Sequence, residues 1–291
     1  MTFSGKRHAY QSQHTGSRNE DRSDRIAAYP AMLTDTALRR VGVDAVALKP
    51  TEHDLATVPD RDLGVDAAVV DYEGRETLPS AEALSALSAA LDCYVTTPVR
   101  ADGYDPLGDD SLLETVPANA TRVLVAGNEA YLTGTEARRA IAPRLGAARE
   151  RAPDAWIGTE GIERLALAAG GTQFELLTAT TEREVRAVRA AGFDGEVALY
   201  APTALTDDPD VTLDAVGGYV ARRAPVRRLL PDDADTDASA TGRAREVLLE
   251  AATDFCLVGD GPTVRDRIET FRSAGVDRVV AYPARGLEVF T

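Results

Sequence analysis

"GVDRVVAYP", residues 275–283, follows a helical-looking stretch near the C-terminus, and almost the same phrase stands twice near the other end, "GVDAVALKP" at 42–50 and "GVDAAVVDY" at 64–72. Glycine supplies the left-handed residue that ends a helix. The unbroken apolar run that follows suits a strand buried on both faces, as in a parallel sheet. The polar or proline stop marks where that strand emerges into solvent. The phrase reads as the junction of helix and strand in a repeating unit.

Working outward, further strand-like runs are "DCYVTTP" (92–98), "RVLVAGN" (122–128), "DAWIGT" (154–159), "QFELLTA" (173–179) and "EVALYAP" (196–202). With the three above they make eight. Between them lie stretches of helical spacing: 80–91, 135–152, 161–171, 181–192 and 261–275. Ser80 is placed as an N-cap, Pro262 falls in a first helical turn, and Gly275 stands just past a helix end. Eight strands alternating with helices predict a (β/α)8 TIM barrel with a parallel eight-stranded sheet. The rival is a doubly wound open sheet, which usually carries a glycine-rich first turn. "KPTEHDL" (49–55) stands in that place, so the barrel is preferred. One barrel is expected over 32–291. The acidic, aperiodic "LLPDDADTDASATG" (229–242) reads as a surface excursion in its seventh connection, and the short "CLVG" (256–259) as an extra loop above the barrel. Residues 1–31 are polar and aperiodic, without an apolar segment of signal-peptide type, and read as a disordered extension or a misassigned start before Met32.

The 291 residues carry 47 acidic and 32 basic side chains, a formal net charge of −15. That balance argues against nucleic acid and against a basic membrane-binding patch. Lys6 and Lys49 are the only lysines among many Arg and Asp, a composition that resembles proteins of salt-loving archaea. Cys93 and Cys256 show no paired spacing and lie in apolar runs, as buried thiols of a reducing cytoplasm would. No run reaches the ~18 apolar residues of a membrane span.

Barrel sites are built from strand ends and the loops after them. Here the rim offers Lys49, Asp71, Tyr72, Thr96, Thr97, Asn128, Glu129, Thr159, Glu160, Thr178, Tyr200, Tyr282 and Arg285. Such a ring can bind a polar small molecule, and neighbouring helix N-termini favour an anion. No His/Cys/Asp/Glu spacing suggests a metal site, and neither a nucleophile elbow nor a phosphate loop occurs. Lys49 allows a Schiff-base reading, against a salt bridge or anion contact.

"DAWIGTEGIERLALAAGGTQFELLTATTEREV" (154–185), "VTTPVR" (95–100), "DAAVVDY" (66–72) and "DFCLVGDGPTVRDRIETFRSAGVDRVVAYPARG" (254–286) resemble, in consistent order, the bacterial luciferase-like superfamily. They are closest to its F420-dependent methylenetetrahydromethanopterin reductase branch. The resemblance implies a (β/α)8 barrel that binds coenzyme F420 or FMN at the rim and transfers hydride. It also allows a homodimer. It would set Asp71, Tyr72 and Thr97 in catalytic positions and Thr96, Gly127, Asn128 and Thr178 beside the cofactor. Thr159, Glu160 and Gly161 would form its phosphate turn, with Arg285 as a balancing cation. A cis peptide would fall near Cys93–Tyr94. The chain departs from the pattern at Tyr72, where His is usual, at Ala47, where the branch has Glu, and at Glu160 in the phosphate turn. Two readings follow beside the Lys49 amine: an F420- or flavin-dependent oxidoreductase, or a catalytically silent barrel kept as a binding or scaffold protein.

Overall fold

The computed structural model describes residues 37–290. The expected N-terminal extension lies outside the described residues. Nine strands form one parallel sheet: β1 (Ala45–Leu48), β2 (Ala67–Val70), β3 (Asp92–Pro98), β4 (Thr121–Val125), β5 (Trp156–Gly158), β6 (Gln173–Leu176), β7 (Val197–Leu205), β8 (Leu257–Gly259) and β9 (Arg278–Pro283). Strands β1 to β7 pair in sequence, β7 pairs with β9, and β9 returns to β1 through Ala45↔Val280 and Val46↔Ala281. The circle is closed, and the fold is a (β/α)8 barrel. Its eight staves are the eight expected runs.

The expected loop at 256–259 is instead β8, which pairs with the protruding end of β7 at Thr203↔Leu257 and Leu205↔Gly259. Two of the seven connections between staves hold no α-helix. After β1 the chain makes a 3-10 turn, Leu55–Asp60, with Pro59 inside it, and after β3 another, Ser111–Thr115. The 135–152 stretch splits into helices Gly134–Ala137 and Ile141–Arg151. Ser80 caps helix Ala81–Ala90 by accepting the Ala83 N–H. Helix Gly261–Ala274 carries Pro262 in its first turn and is capped by Gly275, whose φ of 117° demands glycine. The excursion at 229–242 is docked rather than free. The Ala238 N–H donates to Asp214, and the Thr236 carbonyl lies where a side chain on Gly217 would be, 2.1 Å from its Cβ position.

The strands are apolar on both faces because both faces are covered. Val46, Leu48, Ala68, Val70, Cys93, Val95, Leu199 and Val279 pack outward under the helices. Their alternating neighbours fill the barrel. Inside, alanines at 45, 47, 67 and 198 leave room for large rings from the other staves. Those rings run in contact around the interior: Tyr94 to Trp156 at 3.9 Å between centroids, Trp156 to Phe174 at 5.7 Å, Phe174 to Tyr200 at 5.8 Å and Tyr200 to Tyr282 at 6.5 Å. Each such pair adds about 0.5–1.5 kcal/mol beyond area burial. This layer is the floor on which the site stands.

Candidate functional site

Above that floor, at the C-terminal ends of the strands, lies a cavity of about 340 Å³. Which rim residues reach it follows from the two-residue period of the strands. Continuing the inward set toward and past the strand ends brings in Lys49 after Ala47, Asp71 after Val69, Thr96 after Tyr94, Gly127 after Val125, and Gly158 after Trp156. Tyr200 and Tyr282 belong to the same set and form its base.

Two tyrosine–carboxylate pairs sit side by side there. The Tyr200 hydroxyl donates to Asp71 Oδ2 at 3.0 Å, and the Tyr282 hydroxyl donates to Glu52. The two rings are parallel within 7°. Burial pushes the Asp71 carboxyl up to about 7, against the Tyr200 hydrogen bond and the positive charge of Lys49. The Tyr200 phenol is raised well above its ordinary range by burial and by the adjacent Asp71 charge. Burial and the Glu52 contact raise Tyr282 likewise. Lys49 Nζ pairs with Glu52 at 3.3 Å and lies 3.8 Å over the Tyr282 ring. His53 packs its ring edge-on to Tyr282 and offers Nδ1 to the Lys49 backbone N–H at 3.0 Å. Burial lowers its pKa, which keeps the imidazole neutral at physiological pH.

Thr96 lines the cavity and ties two loops: its hydroxyl donates to the Val70 carbonyl at 3.2 Å and accepts the Tyr72 N–H at 2.5 Å. Tyr72 stands edge-on to Tyr104 and Tyr131, and burial with nearby Glu136 and Glu76 raises its phenol. Thr97 has the opposite parity. It is fully buried behind the sheet, donating to the Val123 carbonyl at 3.3 Å and accepting from Arg122 Nε, and it does not line the cavity.

The turn after β5 also departs from expectation. The Thr159 hydroxyl donates to Glu175 at 2.6 Å, the Gly161 N–H to Glu163 at 3.1 Å, and Glu160 accepts from Asn128 at 3.5 Å and Arg223 at 3.4 Å. Donors that the resemblance assigns to a phosphate are thus satisfied within the chain. The cation that balances Glu160 is Arg223, whereas Arg285 lies outside the cavity. Thr178 also lies outside: its N–H donates to the Thr181 hydroxyl at the start of helix Thr181–Ala190. The Cys93–Tyr94 peptide is trans, as are all described peptide bonds. Gly127 is required where it stands, because a Cβ there would lie 1.7 Å from the Glu160 carbonyl oxygen.

Sequence reasoning missed several lining residues. Glu73 follows β2 directly and is held by the Thr51 N–H and hydroxyl. Tyr131 comes from the loop after β4 and is half exposed. Tyr219, Arg222 and Arg223 come from the seventh connection, where a π-helical turn, Leu213–Gly217, precedes helix Gly218–Ala221. The Gly217–Gly218 pair was the available signal, since two glycines weaken a helix unless something approaches closely. Among the described residues no group of three His, Cys, Asp or Glu side chains is arranged to hold a metal ion, and no helix is long and apolar enough to cross a membrane.

The model of a family of unknown function, DUF7388, matches residues 38–290. No curated protein matches the sequence. Among solved structures the chain is similar to an F420-dependent secondary alcohol dehydrogenase in complex with an F420-acetone adduct, at 13% identity and a TM-score of 0.56, over 85% of this chain and 95% of that one. A second is the monooxygenase RslO1 from Streptomyces bottropensis, at 16% identity and a TM-score of 0.48, over the same shares of the two chains. At such identities the first likeness establishes the barrel fold and no more.

Proposed function

We propose, for a chain that belongs to the DUF7388 family, that the rim cavity binds the ring system of coenzyme F420 or of a flavin and that the protein is an oxidoreductase of the luciferase-like type. The observation that carries this reading is the Asp71–Tyr200 pair on an aromatic floor. It offers a carboxyl that holds its proton up to about pH 7 beside a cavity floored by aromatic rings. At about 340 Å³ the cavity lies at the small end of the ~300–1,000 Å³ range of ligand pockets, so it takes a ring system and leaves a polar tail outside. Phe174, Leu176, Tyr200 and Tyr282 supply apolar contact, and Gly158 leaves the wall open. The F420-dependent secondary alcohol dehydrogenase of similar fold supports the same class.

Such a cofactor, when bound, supplies hydride chemistry. The chain's part is the proton. Oxidation of an alcohol or reduction of a carbonyl moves one proton at oxygen, and Asp71 is placed to hold it on Oδ1 while Oδ2 accepts from Tyr200. Lys49, fixed by Glu52 and the Tyr282 face, stands near enough for its charge to act on the Asp71 carboxyl.

The test is to titrate the protein separately with oxidised F420 and FMN, following fluorescence and thermal midpoint. A ligand at 100 times its Kd stabilises by about 2.7 kcal/mol, which at this size raises the midpoint by roughly 5–10 °C. Binding of neither would sink the proposal. The second reading, a silent binding barrel, draws on the internally saturated turn at 159–161. It predicts ligand binding with no turnover that depends on Asp71.

A further inference from the structure

Three cations line the cavity: Lys49, Arg222 and Arg223. Two are engaged. Lys49 pairs with Glu52 and the Tyr282 ring face, while Arg223 binds Glu160 and the Tyr219 hydroxyl and lies over the Tyr219 and Phe255 rings. The exposed Arg222 side chain has no hydrogen-bond or ion-pair partner among the described residues. The place where the resemblance would put an anion, the turn at 159–161, has its Thr159 and Gly161 donors committed to Glu175 and Glu163 and presents a carboxylate of its own. An anionic group entering this cavity therefore finds one uncommitted guanidinium, at the wall built by the seventh connection. Tyr131 lines the same cavity, and burial raises its phenol, with Asp71 and Arg222 near enough for their charges to act on it.

We propose that Arg222 is the anion-binding residue of this site, receiving a phosphate or carboxylate at the end of the ligand away from the group that meets Asp71. This rests on and deepens the reading above. The planar guanidinium suits such a partner because it offers two parallel N–H donors to two oxygens of one anion. The substrate and the tail of the cofactor are the two sources of such an anion, and both present the same chemistry to Arg222.

The probe is inorganic phosphate, titrated into the full-length protein and followed by phosphorus NMR line width and tyrosine fluorescence. Wild type binds phosphate saturably. Arg222→Ala and Arg222→Gln weaken it about ten-fold, the usual effect of removing one charge-assisted contact. Arg222→Lys retains part of the affinity. Arg228→Ala, an exposed arginine that does not line the cavity, leaves it unchanged. Repeating the titration with F420 present separates the sources: competition assigns the anion to the cofactor tail, simultaneous binding assigns it to the substrate, and either supports the role of Arg222. Equal phosphate affinity in wild type and Arg222→Ala, or no saturable binding, overturns the assignment even if F420 binds. Phosphate bound at Arg222 with neither F420 nor FMN accepted would leave the assignment standing and remove the oxidoreductase reading.

Discussion

Asp71→Asn should make this protein more stable at alkaline pH and no more stable in acid. Burial raises the carboxyl from its ordinary value near 3.8 to about 7 in the folded state. The folded chain therefore holds this proton more tightly than the unfolded one. Between about pH 4 and pH 7 folding takes up a proton, and stability falls as pH rises through that window. Below it the group is protonated in both states and costs nothing. Above it the full cost is present, about 4 kcal/mol at about 1.4 kcal/mol per pKa unit. Asn cannot ionise, is close in shape to the protonated acid, and can still accept from the Tyr200 hydroxyl. The gap between Asp71→Asn and wild type should open from near zero at pH 4 to roughly 4 kcal/mol at pH 8.5, a midpoint gain of roughly 8–16 °C at this size. Thermal unfolding of both proteins in half-unit pH steps measures it. A gap that stays constant across the range would refute the argument, because only a titrating group produces the slope.

Other substitutions test the architecture. Gly127→Ala should lower stability by about 3 kcal/mol or more and distort the cavity wall, since the new methyl meets the Glu160 backbone and not a side chain that can swing away; a denaturant midpoint near wild type would contradict it. Thr97→Val should cost about 1 kcal/mol for its hydrogen bonds and leave F420 and FMN affinity unchanged, because Thr97 faces the helix layer. Asp105 is fully buried between Arg139 at 3.2 Å and Arg144 at 2.8 Å, so Asp105→Ala should cost about 3–5 kcal/mol in urea unfolding by leaving Arg144 without a carboxylate partner, while Arg139 keeps Asp102. Borohydride treatment with a small aldehyde should give no adduct at Lys49 by peptide mass spectrometry, since Glu52 and the Tyr282 ring already occupy Nζ.

The chain's local chemistry is enough to establish the barrel. Each stave announces itself by an apolar run, and β1, β6, β7 and β9 also by a glycine just past the preceding helix; these signals need no knowledge of distant contacts. The caps at Ser80 and Gly275 are equally local, and both stand in the structure where the residues place them. Asp71, Tyr72, Thr96, Asn128, Glu160 and Lys49 were legible as rim residues, Gly127 only through the family resemblance, and all seven line the cavity.

What the tertiary structure alone decided is which way each rim residue faces. A half-exposed strand reveals its inner face by alternating polar with apolar residues. These strands are buried on both faces, so Thr96 and Thr97 look alike in sequence, yet only Thr96 reaches the cavity. Partners from remote connections were hidden for a different reason. Arg223 meets Glu160 across 63 residues of chain, and the Tyr200 hydroxyl meets Asp71 across 129. Contacts of that span follow from closure of the barrel, which brings β2 and β7 to one rim, and no local periodicity encodes them.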